Sequence, residues 1–422
     1  MSVETVLGRL AEIRPGLHEI YRDLHAHPEL STHEQRTATV IAERLSASGI
    51  EVSTGVGGHG VVGVLRNGAG PTVLLRADVD ALPVTEQTGL PYASTATSVD
   101  GDGNQVGVMH ACGHDVHVTC LLGAMDLLAN ARSGWAGTVV AAFQPAEEEG
   151  TGALAMIADG FVERFPRPDV VLGQHVGPMP AGMVGGHPGP AFAALDSLVV
   201  RVFGRGGHGS RPESTVDPIV IAAAIILRLQ TVVSREVAPG DIAVVTVGSV
   251  HAGTRDNIIP DEAVLEISIR SYTAPVRARV NAAVRRIIAA EALASGAARE
   301  PEVTVMPDMP LLLNDPATTA RTTAAFRNWF GTDRVVDPGL ITGSEDFGVF
   351  GDTIGVPYCY WILGGTDPAT YLAAVEADRV DQDIPSNHSP FFAPVIEPTV
   401  STGVSALVVA TLAEMASLPT IE

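Results

Sequence analysis

Lysine is absent from this 422-residue chain, so all 26 of its basic residues are arginines. The absence excludes a Schiff-base lysine, and it excludes the lysine that holds nucleotide phosphates in a P-loop. Any fixed positive charge that acts on a substrate must come from an arginine, a metal ion, a protonated histidine or a helix terminus.

Positive charge as a whole is also scarce. The chain carries 48 acidic residues and has a formal net charge of −22. A surface this negative repels phosphate backbones and anionic lipids. We therefore expect no nucleic-acid partner and no membrane partner.

Cysteines and long apolar runs are few. Cys112, Cys120 and Cys359 form an odd, sparse set, which is no disulfide framework and suits a reducing compartment. Residues 1–13 are interrupted by charges and lack the apolar segment of a signal peptide. The longest apolar run, residues 219–227, is too short to cross a bilayer. We expect a cytoplasmic protein.

The chain contains enough apolar sequence for two cores, because hydrophobic residues make up 46% of a length that exceeds one ordinary domain. Strands that alternate with helices predict an α/β sheet with helices packed on it. The predicted helices lie at residues 6–24, 118–129 and 153–159, and the predicted strands at 61–65, 72–75, 138–143 and 170–172.

The middle of the chain has a different pattern, with strands at 198–203, 242–250 and 263–270 and helices at 218–230 and 276–294. This order predicts a smaller α+β domain, an antiparallel sheet covered by two helices, inserted into the first domain. We place the inserted domain at residues 191–303. The discontinuous α/β domain then comprises residues 1–190 and 304–422, with glycine and proline concentrated at the first joint and Pro301 at the second.

Two segments are rich in residue types that bind metals. Residues 76–83 place Asp78 and Asp80 directly after a strand, where the binding crevice of an open α/β sheet lies. Residues 110–117 contain three histidines, a cysteine and an aspartate. A solvated loop explains the first segment equally well. Packing explains the second segment poorly, because its ligand types are so dense.

Three further segments add candidate ligands. Residues 144–150 place three adjacent glutamates after a strand. A helix N-terminus would favour one or two of them, but the repulsion among all three favours a cation between them. Residues 173–176 and 387–390 each offer one histidine, which alone would more often be structural. Separate strand ends thus deliver ligands to one edge of the sheet, and this pattern predicts a metal site.

The sequence argues against two other common kinds of site, a dinucleotide-binding site and a serine-hydrolase active site. Residues 204–209 match the G-x-G-x-x-G dinucleotide fingerprint, but Arg211 and Pro212 fall where the phosphate-binding helix should begin. No G-x-S-x-G sequence is present, which argues against a serine hydrolase of the α/β type.

The order and spacing of the polar segments resemble the M20 superfamily of metallopeptidases and amidohydrolases. The branch concerned contains hippurate hydrolase, auxin-conjugate hydrolases and N-acyl-amino-acid amidohydrolases. The resemblance runs almost from end to end and also takes in residues 24–30, 206–209, 257–261 and 343–347. It implies a metal-bearing catalytic α/β domain with an inserted lid domain, and an enzyme that cleaves the amide bond of N-acyl amino acids.

The resemblance also implies a role for each matching residue. Five residues would bind two divalent metal ions; they are Cys112, His114, Glu148, His175 and His388. The Cys112 thiolate would bridge the ions, Glu147 would be the general base, and Asp80 would orient a ligand. The count from Gln144 favours Glu147 and Glu148 over Glu148 and Glu149 as the working pair.

In this family the second domain is a lid that also forms the dimer interface. On that basis His208 would reach the active site of the neighbouring subunit and polarise the scissile carbonyl, and Asn257 and Arg270 would hold the substrate carboxylate. We therefore expect a homodimer through the lid domain, with a tetramer as the alternative, and a small N-acyl amino acid as substrate.

Elementary chemistry supports this mechanism. Two cations lower the pKa of a shared water, and Glu147 can take the proton and pass it to the leaving nitrogen. A metal ion and His208 can stabilise the developing oxyanion, and Arg270 offers a planar fork that suits a carboxylate. Thiolate and imidazole ligands favour zinc, with manganese, cobalt and nickel as alternatives.

Two other functions stay open. An exopeptidase or dipeptidase that acts on short peptides would use the same residues. A non-catalytic protein, stabilised by metal or binding small acids, is less favoured, because a structural zinc site needs four protein ligands and no free base. Five candidate ligands and the additional Glu147 favour catalysis.

Overall fold

The structure is a computed structural model that describes residues 2–101 and 103–418. Its α-helices are α1 (Val3–Leu7), α2 (Leu10–Ala26), α3 (Gln35–Ala47), α4 (His114–Asn130), α5 (Gly152–Ala158), α6 (Phe161–Arg164), α7 (Pro218–Glu236), α8 (Ala274–Ala294), α9 (Pro316–Phe330), α10 (Gly348–Ile354), α11 (Pro368–Glu376), α12 (Val380–Asp383) and α13 (Ile396–Ser417). Short 3-10 helices lie at Arg132–Gly134, Pro212–Ser214 and Thr332–Arg334.

The β-strands occupy the ranges between these helices. They are β1 (Glu51–Val56), β2 (Gly60–Asn67), β3 (Thr72–Asp78), β4 (Thr97–Val99), β5 (Gln105–Gly107), β6 (Gly137–Gln144), β7 (Val170–Pro180), β8 (Val184–Gly185), β9 (Gly189–Phe192), β10 (Ala194–Phe203), β11 (Gly207–His208), β12 (Ala243–Ala252), β13 (Ile258–Ile259), β14 (Glu262–Ser271), β15 (Glu302–Val305), β16 (Leu312–Asn314), β17 (Val335–Val336) and β18 (Tyr358–Thr366).

The chain divides into two compact units. The first comprises Met1–Ala191, Leu313–Gly339 and Asp346–Glu422, and the second comprises Phe192–Leu312 and Leu340–Glu345. The second unit continues past the expected boundary at residue 303 because β15 pairs with β10. It also includes Leu340–Glu345, since the N–H of Ala193 donates to the carbonyl oxygens of Ile341 and Gly343.

The first unit is built on an eight-stranded mixed sheet in the order β1-β2-β6-β3-β7-β18-β8-β17. Its centre is parallel, because β3 pairs in parallel with β6 and β7, and β7 pairs in parallel with β18. These strands are buried almost continuously, which is typical of parallel strands covered on both faces. Helices α4 and α13 pack on each other and on this centre, and the predicted α/β class is confirmed.

The second unit is a four-stranded antiparallel sheet in the order β12-β14-β10-β15. Buried and more exposed residues alternate along β14, as expected for a sheet with one covered face. Helices α7 and α8 pack on each other and on this sheet. This is the smaller α+β domain that the sequence predicts, and β12 forms one edge of its sheet.

Two helices, α7 and α13, are long and apolar enough to cross a membrane by length and composition. In α13, 83% of the most apolar window is buried, so this helix belongs to the core of the first unit. In α7 only 33% of the window is buried. Its side chains Val220 and Leu227 are exposed, at 62% and 73%, on the surface of the second unit.

Candidate metal centre and active site

The candidate site in the first unit is built at the carboxyl ends of two central strands. β3 ends at Asp78, and Asp80 follows it. β6 ends at Gln144, and the glutamates that begin at Glu147 follow it. Parallel neighbours such as β3 and β6 bring their carboxyl ends to the same edge of a sheet. The local fold therefore places both acidic segments side by side.

Helix α4 brings the cysteine and a histidine to the same place. His114 is its first residue and Gly113 is its N-cap, with φ +79°. A Cβ atom at Gly113 would lie 2.3 Å from Cγ1 of Val176, so only glycine allows this close approach to β7. Cys112 and His114 are thereby held next to His175, which lies within β7.

All five predicted metal ligands come together in space. Ligand atoms of Cys112, His114 and His175 lie within 4.8 Å of one another, and those of Cys112, Glu148 and His388 form a second group with the same limit. Cys112 belongs to both groups. This arrangement suits two cations that share the cysteine sulfur, and thiolate, imidazole and carboxylate are ligands of divalent metals.

The histidine lone pairs suit metal binding. His175 Nδ1 donates to the carbonyl oxygen of Val176 at 2.8 Å, which leaves Nε2, 3.5 Å from the Cys112 sulfur. His114 Nδ1 donates to Asp80 at 3.2 Å, and its buried Nε2 has no hydrogen-bond partner among the described residues. A hydrogen bond from the second ring nitrogen is typical of metal-bound histidines because it fixes the tautomer.

His117 differs from these histidines. Its ligand atom lies within 4.8 Å of those of Asp78 and His114. However, its Nδ1 donates to Asp78, and its Nε2 accepts the N–H of Val176 at 2.8 Å. Both ring nitrogens are therefore used, and we conclude that His117 supports the site rather than binding metal.

The electrostatics of the cluster favour cations. Burial, opposed by His114 and reinforced by Asp80, raises the pKa of Glu148 to about 7. Burial opposes the charged form of His114, but Asp78 and Asp80 outweigh it and raise its pKa to about 10. Burial and the nearby Glu148 raise the pKa of the Cys112 thiol well above its usual range. In the absence of metal, these three side chains therefore favour their protonated forms, because the cluster contains more acidic than basic groups. Divalent ions bound at the same positions would neutralise that negative charge in place of the protons.

The three adjacent glutamates have different environments. Glu147 is buried, and its Oε2 lies 3.9 Å from Nε2 of His114. Glu148 lies at a similar distance, 3.8 Å, from the same nitrogen, whereas Glu149 is exposed. Glu147 and Glu148 are therefore the two carboxylates that face the ligand group.

Asp80 connects several parts of the site. Its Oδ1 accepts the hydrogen bond from Nδ1 of His114 that is described above. Its Oδ2 accepts hydrogen bonds from the Ser31 hydroxyl at 2.6 Å and from the N–H of Glu148 at 3.0 Å. Asp80 thus contacts the ring of the predicted ligand His114 and the backbone of the predicted ligand Glu148. Ser31 was not predicted, although it directly follows the segment 24–30 that carries part of the resemblance.

A buried arginine stabilises the strand ends below the ligands. The Arg76 guanidinium is fully buried and donates to Asp78, to Gln144 and to Asp346, at 2.6, 2.8 and 2.8 Å. Asp346 lies in the segment 343–347 that carries the resemblance, but no role was predicted for it. The sequence did not predict this network, because the residue type of an arginine does not show whether its side chain is buried or exposed.

Asn387 is a further supporting residue; it lies in the predicted segment 387–390, but only the histidine of that segment was given a role. Its Nδ2 lies 3.2 Å from the carbonyl oxygen of Cys112, 3.1 Å from that of Val176 and 3.7 Å from the Cys112 sulfur. The next residue, His388, has φ +70° and donates its N–H to the carbonyl oxygen of Ala111 at 2.8 Å. These contacts bring the exposed His388 ring to 3.4 Å from Glu148.

Three predicted residues lie in the second unit. His208 is exposed on β11, which pairs with β13, and Asn257 directly precedes β13. The N–H of Ser210 donates to His208 Nδ1 at 3.1 Å, so the neutral ring carries its proton on Nε2. Arg270, on β14, donates to the carbonyl oxygen of Thr342 and to the Ser344 hydroxyl.

A shared group of thiol, imidazole and carboxylate ligands beside a buried carboxylate defines a dinuclear metal-dependent hydrolase. The chain matches the family described as Peptidase family M20/M25/M40 over residues 74–384. It belongs to this family, as the resemblance predicted, and is an enzyme that acts on amide bonds.

Relatives and a solved structure support the assignment. The chain is 37% identical to thermostable carboxypeptidase 1 of Saccharolobus solfataricus, over 86% of this chain and 89% of that protein. It is 36% identical to N-acetyl-L-cysteine deacetylase of Bacillus subtilis, over 85% of this chain and 82% of that protein. A Bacillus subtilis structure described as a dinuclear metal binding peptidase from the M20 family superposes with a TM-score of 0.77 and 28% identity, covering 97% and 100% of the two chains.

Proposed function

We propose that the protein cleaves the amide bond of N-acyl amino acids and releases the free amino acid. The observation that carries the proposal is the position of Cys112 in both ligand groups, with Glu147 buried beside them. The similarity to N-acetyl-L-cysteine deacetylase over most of both chains supports this substrate class.

Glu147 would act as the general base. Two divalent ions, when bound by Cys112 and the four other ligands, would lower the pKa of a shared water into the working range. Glu147 would hold the proton of the attacking water on its carboxylate and deliver it to the leaving nitrogen. Its place among the ligand side chains, 3.9 Å from His114, supports this role.

Residues of the second unit would bind the substrate. The Nε2–H of His208 donates to the scissile carbonyl oxygen across the dimer, and the Ser210 N–H on its other ring nitrogen favours that tautomer. Arg270 and Asn257 hold the substrate carboxylate. The contacts of Arg270 with Thr342 and Ser344 orient its guanidinium, which pre-organises it for a planar anion.

Zinc is the metal that we propose, because one thiolate and three imidazoles are among the ligands. Manganese, cobalt and nickel are the alternatives. Metal analysis of the purified protein, followed by reconstitution of the metal-free protein with each ion, distinguishes them.

We propose a cytoplasmic homodimer in which the second unit serves as lid and interface, with a tetramer as the alternative. The exposed Val220 and Leu227 of α7 and the edge strand β12 support this interface, because apolar patches and free sheet edges of this kind are typically covered in an assembly. The net charge of −22 argues against a membrane as the partner of α7. Light scattering of the full chain tests the oligomeric state.

An exopeptidase that acts on short peptides is the second candidate, supported by the similarity to a carboxypeptidase. A substrate panel separates the two activities. We expect the metal-loaded protein to give higher kcat/KM with hippurate and N-acetyl amino acids than with dipeptides. Failure of a folded, metal-loaded sample to cleave any N-acyl amino acid would overturn the proposed function, and faster cleavage of dipeptides would establish the second candidate.

A further inference from the structure

The turn before α3 contacts the turn that carries Glu147 through a single carboxylate. Glu34 is fully buried, and its Oε1 accepts the backbone N–H groups of Thr32 and of Ala146, each at 2.9 Å. Ala146 is 112 residues away along the chain and directly precedes Glu147. One oxygen atom therefore joins the two turns.

Both N–H donors belong to residues with an unusual backbone conformation. Thr32 has φ +67° and Ala146 has φ +49°, in the left-handed region that residues other than glycine rarely adopt. Such conformations persist where the surrounding structure enforces them. The carbonyl oxygen of Ala146 accepts the N–H of Gly152 at 3.1 Å, which closes the turn at one end, and Glu34 holds the other end.

Glu34 is not occupied with capping its own helix. It is the N-cap residue of α3, yet its side chain makes no capping hydrogen bond. The second and third N–H groups of the helix, those of Arg36 and Thr37, are accepted by the Glu29 carboxylate at 3.0 and 2.8 Å. The two carboxylates therefore have different hydrogen-bond partners. Glu29 accepts N–H groups at the start of α3, and Glu34 accepts the N–H of Ala146.

A second contact from the same segment reaches the other side of Glu147. The Ser31 hydroxyl donates to the Asp80 oxygen that also accepts the N–H of Glu148, as described above. Residues 31–34 therefore contact the backbone before Glu147 directly and the backbone after it through Asp80.

We propose that Glu34 is a positioning residue that fixes Ala146 in its left-handed conformation and thereby sets the direction of the Glu147 carboxylate. The proposal rests on the role proposed above for Glu147. Misplacing a reacting group by about 1 Å lowers the rate by about 10²-fold, so the conformation of this turn bears directly on turnover.

Both N–H contacts use a single oxygen, Oε1, so the proposal assigns the role to this acceptor rather than to the negative charge. Burial raises the pKa of Glu34 to about 7, and its buried Oε2 has no hydrogen-bond partner among residues 2–101 and 103–418. Glu34→Gln keeps an acceptor oxygen of the same reach, whereas Glu34→Ala removes it. Glu29→Ala is a matched control, because it deletes a nearby carboxylate that also accepts two backbone N–H groups.

The test compares these three variants of the full chain, each loaded with the same metal. We expect Glu34→Ala to lower kcat by about 10–100-fold at unchanged KM and metal content. Hydrogen exchange should become faster at the amides of residues 146–148. Glu34→Gln should recover most of the lost kcat. Glu29→Ala should lower thermal stability and leave kcat of the folded protein unchanged.

Several results would overturn the proposal. They are unchanged kcat and exchange in Glu34→Ala, an equal loss of kcat in Glu29→Ala, and a Glu34→Gln variant as impaired as Glu34→Ala. If Glu34→Ala does not fold, Glu34→Asp withdraws the acceptor by one methylene and carries the same expectations. If the wild-type protein cleaves no substrate, the proposed function fails, whereas an active wild type with a normal Glu34→Ala variant refutes only the role of Glu34.

Discussion

Glu147 and Glu149 are two residues apart in the sequence but have different surroundings, and this difference yields a test. We expect Glu147→Gln to lower kcat by about 10²–10⁴-fold, the contribution typical of general acid–base catalysis, with metal content unchanged. Glu149→Gln is the matched control, because Glu149 is exposed and should tolerate the change. Steady-state kinetics with metal analysis measure both. Normal turnover in Glu147→Gln would remove Glu147 from its role.

His117 provides a second test at the residue scale, because it resembles a ligand in the sequence but has both ring nitrogens engaged. We expect His117→Gln to keep the metal content of the wild type. Its free energy of unfolding should fall by about 1–3 kcal/mol, since Asp78 or the Val176 N–H loses a buried partner. We expect His114→Gln to lower the metal content. Loss of a metal ion from His117→Gln would show that the ring binds metal.

The side chains that signal chemistry by their type could be predicted from the sequence, and the residues that support them could not. Dense cysteine, histidine and glutamate segments drew attention to Cys112 and Glu148. Glu34 and Asn387 are ordinary polar residues in a sequence, and they contact the site across separations of 112 and 275 residues. Only the folded chain reveals such contacts, because no periodicity or spacing encodes them.

At the scale of helices and strands, the buried elements could be predicted from the sequence more readily than the exposed ones. The predicted strands at 138–143 and 170–172 lie within β6 and β7, whose buried apolar runs made them recognisable. Helix α3 and strand β1 were not predicted. α3 buries Thr37, Ile41 and Leu45, of which only two are apolar, and β1 is largely exposed, so both elements offer few apolar side chains to a sequence pattern. The helix predicted over residues 6–24 is divided into α1 and α2 near Gly8.

His25 joins the end of α2 to the start of α4. Its Nδ1 lies 2.7 Å from Asp115 and its Nε2 lies 3.1 Å from Glu86. Burial opposes the charged form of His25, but the hydrogen bonds with Asp115 and Glu86 outweigh burial and raise its pKa to about 10. A buried imidazolium between two carboxylates therefore holds these segments together.

The raised pKa predicts a pH dependence of stability. Because the pKa of His25 is higher in the folded than in the unfolded chain, its contribution is complete below about pH 6.5 and disappears as the pH rises through 10. We expect His25→Gln to lower the free energy of unfolding by on the order of a few kcal/mol at pH 6 and by less at pH 10. Denaturant unfolding at both values measures this, with the exposed His27→Gln as control. An equal loss at both values would contradict the charged state of His25.

At the scale of the whole molecule, the hydrophobic core of the first unit and the metal-ligand group contribute separately to the stability of the fold. The described residues of this core come from α4, α13 and the central strands, among other elements, and none of them is one of the five predicted metal ligands. We therefore expect chelation to abolish activity while circular dichroism still shows a folded chain, with a thermal midpoint that falls and recovers on adding metal. Unfolding upon chelation would instead favour a structural role for the metal.

In the proposed site Cys112 would join two metal ions, with His114 and His175 on one side and Glu148 and His388 on the other. Crystallography of the zinc-loaded protein, with anomalous data at the zinc edge, tests it most directly. We predict two anomalous peaks, each about 2.3 Å from the Cys112 sulfur, the distance typical of a zinc–thiolate bond. A single peak, or peaks remote from Cys112, would contradict the account.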